Sequence, residues 1–255
     1  MAASPSAALL GGSSLVDCTQ LIHEDTFGFF GCFFQRQILI DTRAKADQDA
    51  EEVGFRKEKY MMGCDVGTHI DSPNHFISGG RCIHELSMDE LTAPGVVIDV
   101  SAKVQADGGA DYELTVEDVA EWEATHGPIP PRSLVCMKTN WGDRFASATS
   151  TNDGGEYLNK DETGAMHFPG FSADVAQYLV SERDIAGIGI DTPSLDNGLS
   201  TTFPVHVIIL GADKYQIENM HLAGVPEGQS CTFVSLPLKI KGGPEAEARV
   251  MAVLK

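Results

Sequence analysis

Basic residues are scarce in this chain: 18 lysines and arginines stand against 37 aspartates and glutamates, for a formal charge of −19. A surface of that sign repels nucleic acid and anionic membrane, so neither is expected as a partner. The sequence also lacks any run of about eighteen apolar residues, so no segment is expected to span a bilayer as a helix. The six cysteines (Cys18, Cys32, Cys64, Cys82, Cys136, Cys231) are scattered, with no Cys-x-x-Cys pair. They read as free thiols of a reducing compartment, which makes the cytoplasm the expected location. No Gly-x-Ser-x-Gly elbow is present, which removes the usual signature of a serine hydrolase. Gly187-x-Gly189 has no third glycine and no helix pattern after it, so a dinucleotide fingerprint fails. Residues 1–14 contain no basic residue and only a short apolar run, which fits a disordered tail better than a signal or transit peptide. Residues 15–255 are then expected to form one domain.

What is present is concentrated between Gly63 and Phe76. Asp65, His69, Asp71 and His75 fall within eleven residues of a turn-rich, otherwise apolar segment. These are hard and borderline metal donors. In an extended strand Asp65, His69 and Asp71 would share a face, with Gly67 on that face leaving room for an ion. Pro73 would break the strand and turn His75 back beside them. Each residue alone is an ordinary cap or polar group; together they point to a metal or catalytic site.

The surrounding sequence mixes strands and helices without regular βαβ alternation or internal repeats. Strands are expected at 14–19, 35–43, 56–62, 96–100, 133–139, 185–191, 232–240 and 249–254. The 185–191 strand is apolar on both faces and should be central. Ser87-Met88-Asp89-Glu90 reads as a capping box for a short helix ended by Pro94, and Thr115 and Ser172 each open a longer helix. The acidic stretch 46–52 reads as solvated surface, and 146–163 as an exposed polar loop. Phe27, Phe29, Phe30, Phe33 and Phe34, broken by Gly28 and Gly31, form a loop that is either a hydrophobic plug or a wall over a substrate. The expected class is α/β, a single compact domain with a mixed sheet and packed helices.

The 65–76 stretch resembles the signature of the cyclase family of metal-dependent hydrolases, which includes bacterial kynurenine formamidase and isatin hydrolase. Its pattern is His-x-Gly-Thr-His-x-Asp-x-Pro-x-His-Phe. Asp65-Val66-Gly67-Thr68-His69-Ile70-Asp71-Ser72-Pro73-Asn74-His75-Phe76 matches every defined position but the first. Residues 187–196 and 236–243 also look like the family, the latter closer to the isatin hydrolase branch. The resemblance implies a β/β/α fold, usually paired into homodimers or higher oligomers. His206, by itself either a core histidine or a ligand, and Glu218 twelve residues on match the family's late metal-binding pair. The implied metal set is therefore Asp65, His69, Asp71, His206 and Glu218. Asp65 replaces the family's histidine, giving an oxygen-rich set that suits Mn2+ as well as Zn2+ and has carboxylates enough for one or two ions. Alternatively Asp65 stands outside the set. Asp191 and Asp196 read as turn caps or braces for the ligands.

A divalent ion in such a site would bring the pKa of its water towards about 7. His75 is then expected to be the general base and acid of amide hydrolysis. The resemblance implies a small aryl substrate, an N-formyl amide or a lactam such as isatin. Phe29 sits near the place of a substrate-contacting aromatic in the formamidases, and Trp141 is either a second wall or a core residue. Cys64 as nucleophile is a weak rival, because Asp65 beside it would raise its pKa. The non-enzyme rival is a family member with an impaired site that binds metal or a small molecule without turnover.

Overall fold

The computed structural model describes residues 13–43, 53–106 and 108–255. Most of the expected N-terminal tail, up to residue 12, and the acidic connection at 46–52 lie outside them. In chain order the strands are β1 Ser14–Asp17, β2 Gln35–Asp41, β3 Arg56–Met61, β4 His69–Asp71, β5 Thr92–Asp99, β6 Glu113–Leu114, β7 Leu134–Lys138, β8 Gly170–Phe171, β9 Gly187–Ile190, β10 Tyr215–Glu218, β11 Cys231–Pro237 and β12 Glu245–Leu254. The α-helices are α1 Ser101–Gln105, α2 Val116–His126, α3 Gly155–Leu158, α4 Ala173–Glu182 and α5 Pro204–Gly211.

The main sheet runs β12-β11-β5-β7-β9-β10-β4, and β4 pairs back onto β12 to close a barrel. Strands β5, β7, β9 and β10 are parallel, while β11 and β4 run antiparallel to their neighbours. The long β12 serves two partners on one edge, β4 along Glu245–Glu247 and β1 along Met251–Leu254. Such a mixed sheet with packed helices is the architecture expected from the sequence.

Alternation along the strands divides the core into two layers. Val97, Leu134, Cys136, Ile217, Phe233 and Val250 fill the barrel. Val96, Ile98, Val135, Met137, Ile188 and Ile190 face outwards onto Val119, Trp122, Val175, Leu179 and Ile209 of the helices. The parallel strands are thus apolar on both faces, as the 185–191 run predicts. The barrel is narrow at β9, where a Cβ on Gly189 would come within 2.6 Å of Met220 Sδ.

The helix starts follow their caps. Thr115 and Asp118 form a reciprocal box at the head of α2, and Ser172 Oγ accepts from Val175 N at the head of α4. Ser87 and Glu90 also form their reciprocal bonds, but only a turn follows. Pro94 lies inside β5, in the portion of that strand that has not yet met β7, so its missing N–H costs the ladder nothing there. The polar 146–163 stretch is not simply an exposed loop. Ala148 and α3 dip into the core with Tyr157 and Leu158 buried.

Candidate metal centre

The metal segment is extended over three residues only. Residues 64–68 are turns, β4 begins at His69, and Pro73–His75 forms a single 3-10 turn that brings His75 back. Gly67 does not lie on a strand face as the spacing suggests. It sits at φ 75°, where its carbonyl accepts a hydrogen bond from His69 Nδ1 at 2.9 Å.

Strand register then composes the site. On β4, Ile70 points into the barrel while His69 and Asp71 point out. His69 pairs with Glu218 on one side and Glu247 on the other; Asp71 pairs with Gln216 and Glu245. Two polar rows, Glu247-His69-Glu218 and Glu245-Asp71-Gln216, therefore cross the outer face of three strands. Helix α5 adds His206. Its head is capped by Asp196, which accepts from Val205 N at 2.9 Å and His206 N at 3.2 Å. The same carboxylate accepts from His206 Nδ1 at 2.6 Å.

Both buried imidazoles thus have Nδ1 engaged outwards and Nε2 facing the cluster. His69 Nε2 lies 3.3 Å from Glu218 Oε2 and 3.4 Å from Asp71 Oδ1. His206 Nε2 lies 3.2 Å from Glu218 Oε1 and 3.7 Å from Asp71 Oδ2. Gln216 holds Asp71 Oδ2 at 2.8 Å, leaving Asp71 Oδ1 buried with no hydrogen-bond partner. Donor atoms of two triads, His69-Asp71-Glu218 and Asp71-His75-His206, each lie within 4.8 Å of one another. A buried carboxylate oxygen without a hydrogen-bond partner, in a cluster with two imidazoles whose Nδ1 atoms are anchored elsewhere, fits a divalent cation.

The electrostatics agree. Burial disfavours charge on His69, but the hydrogen bond to Glu218 and the Asp71 carboxylate outweigh it and raise the ring to about 10. Burial opposes charge on His206 too, and Asp196 and Glu218 raise it to about 10. Burial and the neighbouring Glu218 push Asp71 up to about 6. Burial works against ionised Glu218, yet hydrogen bonds from His206 and His69 hold it below the usual carboxylate range. Protons balance this charge in the metal-free protein, and a cation would displace them.

The remaining predicted residues fall in different places. His75 lies beside the cluster, its ring 6.0 Å from that of His206, with Nδ1 2.8 Å from Glu245 Oε1. Asp65 belongs to neither triad: its Oδ2 accepts from Phe29 N at 2.6 Å, and burial raises its pKa although His69 lies near enough to oppose that shift. Phe29 is half-buried, packed edge-on against Phe27 and the outer core. Trp141 is 3% exposed and donates to Tyr157 O, so it offers no open face to a substrate; of its two expected roles, the geometry is that of core packing. The open apolar surface is made instead by Phe76 and Phe203, whose rings lie 4.7 and 5.7 Å from His206. Phe203 is held at φ 49°, a left-handed conformation unusual for an aromatic residue.

Sequence reasoning missed Glu245, Gln216, Asn219 and Tyr157. Asn219 reaches Gly67 O at 3.1 Å and accepts from Tyr157 OH at 2.7 Å, tying the floor of the site to α3. Cys64 Sγ donates to Glu245 Oε2 at 2.7 Å, and partial burial with that carboxylate pushes its thiol up to about 12, which opposes a nucleophilic thiolate.

The family model described as "Putative cyclase" matches residues 16–197. The chain belongs to this family. Over 97% of its length it is 29% identical to isatin hydrolase of Roseibium aggregatum, covering 95% of that protein. It is also 24% identical to kynurenine formamidase of Salinibacter ruber, over 81% of this chain and 84% of the relative. Its fold superimposes on isatin hydrolase A from Ralstonia solanacearum with a TM-score of 0.83 and 28% identity, covering 98% and 95% of the two chains. Membership of the cyclase family places the chain among metal-dependent amide hydrolases.

Proposed function

We propose that this cyclase-family protein hydrolyses a small aryl amide, either an N-formyl arylamine or an aryl lactam of the isatin type. The observation that carries the reading is the buried cluster in which His69 Nε2 and His206 Nε2 each lie against a Glu218 oxygen, with a partnerless Asp71 oxygen 3.4 Å from His69 Nε2. These four residues would hold one cation, zinc or manganese; a second ion, in the triad that shares Asp71, would take His75 as a ligand and compete with its acid-base role. Asp65 is assigned to anchoring the Phe29 loop and not to the metal. When bound, the ion would acidify water and polarise the scissile carbonyl.

The other steps belong to the chain. His75 Nδ1 lies 2.8 Å from Glu245 Oε1; with a ring proton on that side, the Nε2 lone pair would take a proton from the attacking water. As the water oxygen bonds to the carbonyl carbon and the C–N bond breaks, His75 Nε2 returns that proton to the departing nitrogen. The products are an amine and a carboxylic acid that gives its remaining proton to solvent, joined in one molecule when the substrate is a lactam. Phe76 and Phe203 flank this position and would receive the aryl ring.

The protein is further assigned to the cytoplasm, on its six free cysteines, and to a homodimer. The β2–β3 ribbon supports the dimer. It exposes Ile38, Leu39, Ile40, Tyr60 and Met61, and an isolated two-stranded ribbon is marginal without a covering surface. No helix among the described residues is long and apolar enough to cross a membrane.

Asp65 also favours the second reading, an impaired relative that binds metal without turnover. Turnover of isatin and N-formylkynurenine, abolished by EDTA and restored by zinc or manganese, supports hydrolysis. Turnover appearing only in Asp65→His supports impairment.

A further inference from the structure

Glu245 opens β12 opposite Asp71, on the polar face of the strand, and is 9% exposed. One oxygen lies 2.8 Å from His75 Nδ1 and the other accepts from Cys64 Sγ at 2.7 Å. The backbone beneath it is pinned to the same segment that carries His75. Ser72 N and Ser72 Oγ donate to Pro244 O at 2.9 and 2.7 Å, and Ile83 N donates to Gly243 O at 2.9 Å. The carboxylate and the imidazole are therefore held to each other through both main chain and side chain.

The neutral imidazole has two tautomers, and only one presents a basic Nε2 to the site. His75 is 29% exposed on its side chain; among the described residues its ring also meets Phe76 and His206, with an Asp71 oxygen within 4.8 Å, and Glu245 is the carboxylate at hydrogen-bond distance from Nδ1. We infer that Glu245 is the positioning residue for His75, fixing the proton on Nδ1 and the ring orientation, while Cys64 occupies the second carboxylate oxygen and keeps Glu245 off the metal. This inference rests on His75 serving as the acid-base group.

The test uses zinc-loaded wild type, Glu245→Met, which keeps bulk without polarity, and Glu245→Gln, which keeps an acceptor for Nδ1–H. Metal content, kcat, KM and the His75 tautomer by long-range 1H–15N correlation are measured on each. Glu245→Met should retain zinc and KM, lose about 10- to 100-fold in kcat, and show a mixed His75 tautomer. Glu245→Gln should recover most of kcat and the Nδ1–H form. Loss of zinc from Glu245→Met would make Glu245 a ligand and overturn the inference, as would an unchanged tautomer and kcat. If wild type turns over neither substrate, the hydrolase reading fails by itself; the tautomer comparison still decides the role of Glu245.

Discussion

Three adjacent strand segments, β4, β10 and the start of β12, present two opposite faces to two different environments. Inward, Ile70, Ile217 and Ala246 lie side by side, fully buried in the barrel. Outward, one residue away on each strand, stand His69, Asp71, Gln216, Glu218, Glu245 and Glu247. The inner row holds the barrel closed by apolar burial. The outer row gathers carboxylates and imidazoles at a density that only hydrogen bonds and a cation can compensate. A rigid strand lattice thus fixes donor positions that loops would leave loose.

Substitutions on the two faces should separate those roles. The largest effect is expected from His69→Ala or His206→Ala, which should abolish stoichiometric metal and lower kcat/KM by about 10³-fold or more while the fold persists. Elemental analysis beside circular dichroism checks both halves. The mirror experiment is Ile217→Ala, which should cost about 2–5 kcal/mol in denaturant unfolding yet leave metal stoichiometry of the folded protein unchanged. Loss of metal there would mean the faces are not independent.

A smaller effect is expected at the brace behind the outer row. Asp196→Asn removes the charge that orients His206 and should weaken metal affinity about 10- to 100-fold, measured by chelator competition. Changing pH moves the same balance without mutation. In the metal-free protein His69 and His206 are raised to about 10, above the unfolded value of about 6.5. Their contribution to stability is therefore complete below about 6.5 and lost as pH rises through about 10. Because zinc must displace those protons, its stabilising effect should grow over the same interval. Thermal melts with and without zinc should accordingly diverge as pH increases. The smallest effect is expected from Asp65→Asn, which should leave metal content as in wild type because this side chain serves the Phe29 backbone.

The legible parts of this structure were those whose signals are local. The glycine, proline and donor spacing of 63–76 marked the site, and the β-branched runs marked the parallel strands. His206 and Glu218 were legible through family resemblance; a spacing of twelve residues carries no geometry of its own. Glu245 was hidden because the last strand was expected to begin at 249, whereas β12 begins at Glu245. The period-two alternation of Glu245, Glu247 and Arg249 with Ala246, Ala248 and Val250 was the available signal. Small alanines obscured it, since a narrow barrel interior asks for little apolar bulk there. The strand was expected to begin before Gly67, whereas the left-handed turn at that glycine ends the face that Asp65 was expected to share with His69 and Asp71. Tyr157 lay in a polar stretch with no periodicity to betray its burial.

The outer face is assigned a catalytic cation between β4, β10 and α5. Anomalous diffraction at the zinc and manganese absorption edges, from crystals loaded with each metal, tests it most directly. A peak is expected about 2.0–2.2 Å from His69 Nε2, His206 Nε2 and a Glu218 oxygen. A peak instead at Asp65, or at the separate Cys82-His84-Glu85 cluster, with amide turnover intact, would contradict it.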